Sequence, residues 1–329
     1  MAISQPRVTI GMPVYNGERY LREALNSILG QTFCEFELII SDNGSTDSTF
    51  EICNEYAEKD RRLRLYRNHE NIGAAANYNR LVALAQGKYF KWAAADDNLA
   101  PEFLEECISI LDHHPETILC YPKTIVIDEH GNPVREYPDN LHLQEPTPAL
   151  RYQAFHERFR TLYECNAIFG LIDTAVLCQT KLIGAFSNSD MVLLSELALR
   201  GRFYEVPKHL FFRRDHSATS VRSYPTAYAR AAWFDPKKTG KRHAPQWRLF
   251  VEFLRTVQCT PLVWRQKVLC YQELGKWFQF NRLGLRKDLT IWLIQAAYDS
   301  PQPIFLLLRT GWKLTSMIGY FFRPLAKRQ

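Results

Sequence analysis

The 329-residue chain is predicted to have an α/β fold, in which a parallel sheet flanked by helices precedes a helical C-terminal region. Apolar runs typical of strands alternate with helical periodicity four times before residue 93, as in parallel sheets with helical crossovers. After residue 216 the alternation stops and only helical periodicity returns. Hydrophobic residues make up 46% of the chain, which is enough to build a large core.

The elements of the first hundred residues follow from local periodicity and from the turn residues between them. Strands are predicted where short apolar runs end in polar turns, and helices where apolar residues recur every three or four positions. In chain order, the predicted strands cover residues 8–12, 36–40, 63–66 and 89–92. The helices that separate them cover residues 18–29, 48–59 and 74–85.

The rest of the chain is assigned in the same way, with less regular alternation. The predicted strands cover residues 118–127, 169–172, 203–206 and 209–213, with a short return strand after the turn at 128–132. The predicted helices cover residues 102–112, 150–162, 191–200, 245–257, 261–280, 285–298 and 303–320. Three of the last four helices start at a proline, which suits the first helical turn.

Charge is divided unevenly along the chain. Residues 1–200 contain 28 acidic and 18 basic residues, whereas residues 201–329 contain 7 acidic and 23 basic ones. The basic C-terminal third is therefore expected to face something anionic, such as a membrane surface, a nucleic acid or the acidic part of the same protein. No known nucleic-acid-binding module appears in it, so nucleic acid is not an expected partner.

The eight cysteines are scattered, without a CxxC pair or a nearby histidine pair. A zinc site is therefore not expected, and unpaired thiols indicate a reducing compartment. The N-terminus shows no apolar segment typical of a signal peptide. These features predict a cytoplasmic protein, which the basic C-terminal region could hold on the inner face of a membrane.

Polar loops follow three of the first four strands, at residues 13–17, 41–47 and 93–98. In open parallel sheets, ligands bind at the carboxyl ends of the strands. Tyr15 in the first loop could stack on a nucleobase, and Asp42 in the second could accept a hydrogen bond from it. Each has a simpler interpretation, Tyr15 as a packing aromatic and Asp42 as a turn residue. Neither GxGxxG nor GxxxxGK[ST] occurs at the first turn, so neither a dinucleotide cofactor nor a P-loop is indicated.

The third loop contains two adjacent carboxylates, Asp96 and Asp97. Carboxylate oxygens in a small-residue turn suit a hard divalent cation and the phosphates that it carries. Either residue could instead cap the helix that Pro101 would begin. Together the three loops favour a nucleotide lying across the strand ends, with a divalent ion on its diphosphate.

Four segments, residues 9–17, 41–47, 71–73 with Asn77, and 95–97, resemble the family 2 glycosyltransferases with a GT-A fold. The resemblance covers about residues 7–215. It implies a Rossmann-like mixed sheet, a nucleotide-sugar donor, most often a UDP-sugar, a divalent metal (Mn²⁺ or Mg²⁺), and inversion at the anomeric carbon. The chain departs from the commonest family pattern, Asp-Ala-Asp-Asp, because Ala94 stands at the first position.

The resemblance also assigns roles to individual residues. Asp97 would be the main metal ligand, assisted by Asp96 and by His216. Arg213 and Arg214, next to His216, would neutralise the departing diphosphate. The expected substrate-binding residues are Pro13, Val14, Tyr15, Asn16, Glu18, Asp42, Asn71, Gly73, Asn77, Asp96, Arg213 and Arg214.

Asp190 stands at the head of the apolar helix 191–200. By resemblance it would be the general base, which takes the proton of the acceptor hydroxyl as that hydroxyl attacks from the face opposite the leaving diphosphate. An N-cap role at the same position remains open and is compatible with the first. Glu196, further along this helix, is interpreted as structural.

The sequence thus predicts a catalytic domain at 1–216, with a nucleotide-sugar-binding half at 1–100 and an acceptor half at 101–216. Residues 217–329 would form a basic, mostly helical region, whose last helix could lie on an anionic membrane surface. The expected acceptor is a hydroxyl of a saccharide or of a lipid-linked saccharide. Two alternatives are a non-catalytic nucleotide-binding or scaffold protein, motivated by Ala94, and a sugar nucleotidyltransferase, which would need a basic phosphate loop after the first strand.

Overall fold

The structure is a computed structural model that describes residues 5–160, 165–224, 226–238 and 244–298. Within these ranges, the strands form one nine-stranded sheet. The strands are β1 (Val8–Val14), β2 (Phe36–Asp42), β3 (Leu63–Arg67), β4 (Tyr89–Trp92), β5 (Asn98–Leu99), β6 (Thr117–Ile127), β7 (Pro133–Tyr137), β8 (Leu171–Asp173) and β9 (Arg202–Arg214).

Helices connect most of these strands and also form the C-terminal part. Those of the first two hundred residues are α1 (Glu18–Leu29), α2 (Thr49–Lys59), α3 (Ala74–Leu84), α4 (Phe103–His113), α5 (Pro148–Phe159), α6 (Thr174–Leu177) and α7 (Ser189–Arg200). Those that follow are α8 (Ser220–Ser223), α9 (Ala227–Phe234), α10 (Pro245–Cys259), α11 (Trp264–Phe280) and α12 (Arg282–Tyr298). Short 3₁₀ turns occupy Asn166–Phe169 and Pro236–Lys238.

The sheet is mixed, in the order β3-β2-β1-β4-β8-β6-β9-β5, with β7 paired to β6. The first four strands are parallel, as their alternation with helices predicts. β8 then runs antiparallel to both β4 and β6. The predicted fold class is therefore confirmed. The parallel part places the ends of β1, β2 and β4, with their polar loops, at one edge of the sheet.

Two apolar cores lie on the two faces of the sheet. One contains the buried faces of α1, α2 and α4. The other contains buried residues of α3, α5 and α7 together with α10 and α11. The C-terminal helices therefore share a core with the α/β part, where α10 packs on α7 and α11 on α5. Within the described residues, the C-terminal region is therefore mostly helical, as the sequence predicts.

Three features of the structure differ from the sequence prediction. The two strands predicted at 203–206 and 209–213 are one strand, β9, because a register shift opposite Pro207 lets pairing with β6 resume at His209. The helix predicted from Pro261 starts at Trp264. The two-residue strand β5 was missed, since its pairing with β9 is a long-range contact.

Only part of the C-terminal region that was expected to contact a membrane lies within the described residues. The helix predicted at 303–320 lies outside the described residues. Within the described ranges, no helix has the length and apolar character needed to cross a membrane. 

Candidate active site

The first two polar loops are joined to each other by backbone and side-chain hydrogen bonds. The Asn16 N–H donates to Ser45 Oγ at 2.9 Å, and Asn16 Oδ1 accepts from the Thr46 N–H at 2.9 Å. Asn16 has a φ of 50°, a left-handed conformation that asparagine tolerates better than most residues. Glu18 Oε2 accepts from the Ser48 N–H at 2.8 Å. Asn16 and Glu18 thus fix the shape of the loops that follow Pro13 and Val14.

Asp42 lies at the end of β2 and is fully buried. Its Oδ1 accepts from the Ser45 N–H at 3.1 Å. Its Oδ2 is buried without a hydrogen-bond donor among the described residues, although Arg67 Nε lies 3.3 Å away. Tyr15, in the neighbouring loop, exposes 46% of its surface. A buried acceptor oxygen and an exposed ring therefore accompany the loops predicted to hold a nucleobase.

Asn71 and Asn77 form hydrogen bonds with residues of the second loop, 41–47. Asn71 Oδ1 accepts from Asn43 Nδ2 and from the Gly73 N–H, both at 2.9 Å. The buried Asn77 accepts from Ser41 Oγ at 2.6 Å and donates to Ser41 O at 2.8 Å. These partners give both asparagines a positioning role at the predicted donor site.

The structure brings Asp96, Asp97 and His216 together. His216 Nε2 lies 2.9 Å from Asp96 Oδ2. Asp97 Oδ1 accepts from the Arg214 N–H at 2.8 Å, and only 7% of Asp97 is exposed. Burial, and then the charge of Asp96, raise the pKa of Asp97 to about 8, whereas the charge of Arg213 opposes this rise.

Arg214 lies beneath the carboxylate pair, with its side chain fully buried. Its Nε donates to Asp96 O at 2.9 Å, one terminal nitrogen pairs with Glu23, and the guanidinium lies 4.5 Å from the centre of the Tyr20 ring. Direct contact with a diphosphate would require it to leave these partners. Arg213 is half-buried, and its charge acts on Asp97.

The three residues fit a divalent cation, although not as a preformed cage. Among the described residues, no group of three or more His, Cys, Asp or Glu side chains is arranged to hold a metal ion. The repulsion between Asp96 and Asp97 is nevertheless of the kind that a bound cation offsets. The Ala218 N–H donates to His216 Nδ1 at 3.3 Å, which places the ring proton on Nε2, facing Asp96. A metal bound by His216 would therefore replace that hydrogen bond.

Asp190 lies in the first turn of α7, two residues after the N-cap residue Asn188. Its Oδ1 accepts from the Met191 N–H at 2.9 Å. Asp190 is half-buried, and desolvation raises the pKa of its carboxyl above the ordinary value. Glu196, by contrast, is buried and pairs with Arg200 at 3.0 Å.

Tyr78 is a residue near the site that sequence reasoning missed. Burial raises the pKa of its hydroxyl, and the negative charges of Asp96, Asp97 and Asp190 raise it further. All three carboxylates therefore act electrostatically on one tyrosine of α3. The available signal was its position next to Asn77, at the start of a helix that follows a strand end.

Comparison with known proteins agrees with the resemblance that the sequence motifs indicate. The model of the family described as "Glycosyl transferase family 2" matches residues 9–178, which is more than half of the chain. An uncharacterized glycosyltransferase of Methanocaldococcus jannaschii is 34% identical over 137 residues, which cover 41% of this chain and 47% of that protein. One of Haemophilus influenzae is 35% identical over 134 residues, covering 40% and 53%. The chain spans about half the length of these two relatives.

Two solved structures show a similar fold. TarS 1-349 of S. aureus in complex with UDP-GlcNAc has a TM-score of 0.60 and 18% identity, over 87% of this chain and 80% of that one. The mannosyltransferase PcManGT of Pyrobaculum calidifontis, in complex with GDP-Man and Mn²⁺, has a TM-score of 0.51 and 18% identity, over 96% and 85%. At this identity, the similarity concerns the fold alone.

Proposed function

The chain belongs to glycosyl transferase family 2, and from this premise we propose that it is an inverting glycosyltransferase that uses a nucleoside-diphosphate sugar as donor. One observation carries the proposal. The carboxylate pair at the end of β4 and Asp190 at the start of α7 act on the same Tyr78 hydroxyl. This supports a site for the donor diphosphate and a general base that lie near one side chain, as direct displacement requires.

On the donor side, Asp42 Oδ2 would accept a hydrogen bond from the nucleobase, and Tyr15 would cover the ring. Asp96, Asp97 and His216 would hold Mn²⁺ or Mg²⁺. When bound, this ion supplies positive charge to the leaving diphosphate. Arg213 adds a cation beside the pair, whereas the buried Arg214 keeps Asp97 in place through its N–H.

On the acceptor side, Asp190 would take the proton of the acceptor hydroxyl. The oxygen then forms a bond to the anomeric carbon, and the bond from that carbon to the diphosphate oxygen breaks with its electron pair on the diphosphate. Desolvation raises the pKa of Asp190, and this brings the carboxyl closer to the pKa that suits a general base near neutral pH.

The donor is proposed to be a UDP-sugar, in line with the family expectation and with the UDP-GlcNAc complex of TarS. The acceptor is proposed to be a saccharide or a lipid-linked saccharide, in the synthesis of a polysaccharide or other glycan.

The basic C-terminal region would hold the enzyme at the inner face of a membrane, through residues 303–329. Removing these residues should lower sedimentation with phosphatidylglycerol vesicles and not with phosphatidylcholine vesicles. Equal sedimentation of both proteins would refute the membrane contact.

The decisive test measures the release of UDP or GDP from UDP-GlcNAc and GDP-Man, with Mn²⁺ and with EDTA. We expect Mn²⁺-dependent release by the wild type and a loss of about 10²–10⁴-fold in Asp190→Asn, the range for a missing general base. Asp173→Asn, which removes the charge at the N-cap of α6 and keeps an oxygen that can accept the Val176 N–H, serves as the control. Undiminished turnover by Asp190→Asn would refute the base. Nucleotide binding without release would support the scaffold alternative.

A further inference from the structure

The segment between β9 and α10 connects the two sides of the proposed site. We define its described residues 226–238, which include α9, as the strap. One end packs against the donor side, where a Cβ on Gly73 would lie 2.6 Å from Phe234 O and 2.8 Å from Pro236 Cδ. The Phe234 ring packs against the apolar core that contains α3 and α7. The strap is therefore attached to the sheet edge at which the donor loops lie.

The other end of the strap contacts the loop that leads into α7. Arg230 Nε donates to Ser187 Oγ at 3.0 Å, and Arg230 also donates to Tyr224 O at 3.1 Å. The side chain of Arg230 is half-buried. Two acceptors thus hold the guanidinium beside the loop that ends three residues later at Asp190.

The groups that face Asp190 come from several elements. The negative charge of Asp190 raises the pKa of the Tyr78 hydroxyl on α3 and the pKa of the buried Cys165 thiol. Asp139, hydrogen-bonded to Asn166, also acts on that thiol. These neighbours bring no positive charge. Arg230, from the strap, supplies a positive charge that acts on Asp190.

We propose that Arg230, held against the loop before α7 by its hydrogen bond to Ser187, is a positioning residue whose positive charge favours the ionised carboxylate of Asp190. This proposal rests on the proposed function, because it takes Asp190 as the base. It extends the catalytic centre beyond residue 216 into the C-terminal region. A nearby guanidinium favours the charged form of a carboxyl, and a base must be charged before it can accept a proton.

The test is the pH dependence of kcat/KM, from pH 5 to pH 9, for release of UDP from UDP-GlcNAc with Mn²⁺. Arg230→Gln removes the charge and keeps a hydrogen-bond donor for Ser187. We expect the acidic limb of its profile to move to higher pH by up to about one unit, because one unit is the low end of what a cation in contact does to a carboxyl. Arg230→Lys should restore the wild-type limb. Arg255→Met is the control, since Arg255 pairs with Glu252 on α10.

A uniform loss of activity in Arg230→Gln, with the acidic limb unmoved, would overturn the proposal and leave a structural role. Ser187→Ala gives a second route if the Gln variant does not fold, because it removes the acceptor that holds the guanidinium against the loop before α7 and keeps its charge. A shift of the same sign supports the proposal, and an unmoved limb contradicts it. Full activity of Asp190→Asn would instead remove the proposed base itself. No release by the wild type from UDP-GlcNAc or GDP-Man would count against the proposed function. Either result withdraws the role of Arg230 with the function on which it rests.

Discussion

A buried histidine should make the stability of the fold depend on pH. His156 of α5 is fully buried, and neither ring nitrogen has a hydrogen-bond partner among the described residues. Its ring lies among aromatic side chains, with centroid distances of 4.3 Å to Tyr152 and 4.7 Å to Phe253. Desolvation, assisted by the charge of Arg160, lowers its pKa from 6.5 to about 3. His156 is therefore neutral in the folded protein.

The sign of the effect follows from proton binding. Below pH 6.5 the unfolded chain protonates His156, whereas the folded protein does so only near pH 3. The unfolded state then binds more protons, so stability falls as pH falls through this window. Each pH unit costs about 1.4 kcal/mol. Between pH 7.5 and pH 5, the loss from His156 alone is therefore about 2 kcal/mol.

The perturbation is His156→Leu, which has a similar volume and no titrating group. Urea unfolding, followed by far-UV circular dichroism at pH 7.5, 6.5, 5.5 and 5, gives the free energy of unfolding of both proteins. We expect the wild type to lose about 2 kcal/mol more than the variant between pH 7.5 and pH 5. The exposed His69 provides the control His69→Gln, which should follow the wild type. Parallel curves for the wild type and His156→Leu would refute the reasoning.

Two further predictions concern the donor side. Gly73→Ala should lower the free energy of unfolding by about 1–3 kcal/mol, because φ 88° and ψ 153° suit only glycine and the new methyl would meet Phe234 O. Gly275→Ala, where a Cβ meets no atom within 4 Å, should be neutral or stabilising in the same urea unfolding measurements. Asp42→Asn should weaken UDP binding about 10- to 100-fold in calorimetry, because an amide N–H₂ would face the base N–H. The surface variant Glu55→Gln should bind as the wild type does, and equal affinity of Asp42→Asn would exclude this contact.

The parallel half of the fold was predictable because its signals are local. Each of the first four strands is a short apolar run that ends in a polar turn, and the helices between them are periodic. The antiparallel part was less predictable. The two-residue strand β5 is defined by its pairing with β9. In the sequence, Pro207 predicts the end of a strand, whereas in the structure β9 continues beyond Pro207 after a shift in its register with β6. Both features depend on contacts between distant residues.

The site shows the same division. The sequence identified Asp42, Asp96, Asp97 and Asp190 as carboxylates at strand or helix ends. It also placed Asp96, Asp97 and His216 in one predicted group, and in the structure His216 lies next to Asp96. It did not distinguish the two arginines that precede His216. Successive side chains of a strand point to opposite faces, so Arg213 and Arg214 cannot share one environment. Only the placement of β9 shows that Arg214 is the buried member.

Neighbouring residues of α3 pose a similar problem. Asn77 carries the family resemblance, and the structure shows it beneath the second loop, bonded to Ser41. Tyr78, one residue further, points elsewhere, because one helical step turns a side chain by about 100°. There the charges of carboxylates from both sides of the site act on its hydroxyl. The family resemblance identified the helix end, whereas the packing of α3 decides which of its side chains these carboxylates influence.

The boundary after residue 216 is a change in sequence pattern, and it does not separate two packing units. Phe253 of α10 and Trp277 of α11 are buried in the core that α5 and α7 build. Covering such aromatic side chains contributes about 1.5–3 kcal/mol each. The Ala149 N–H donates to Gln266 across this junction at 2.9 Å. A fragment ending at residue 216 would expose these apolar faces and lose Arg230, so catalytic tests belong on the full chain.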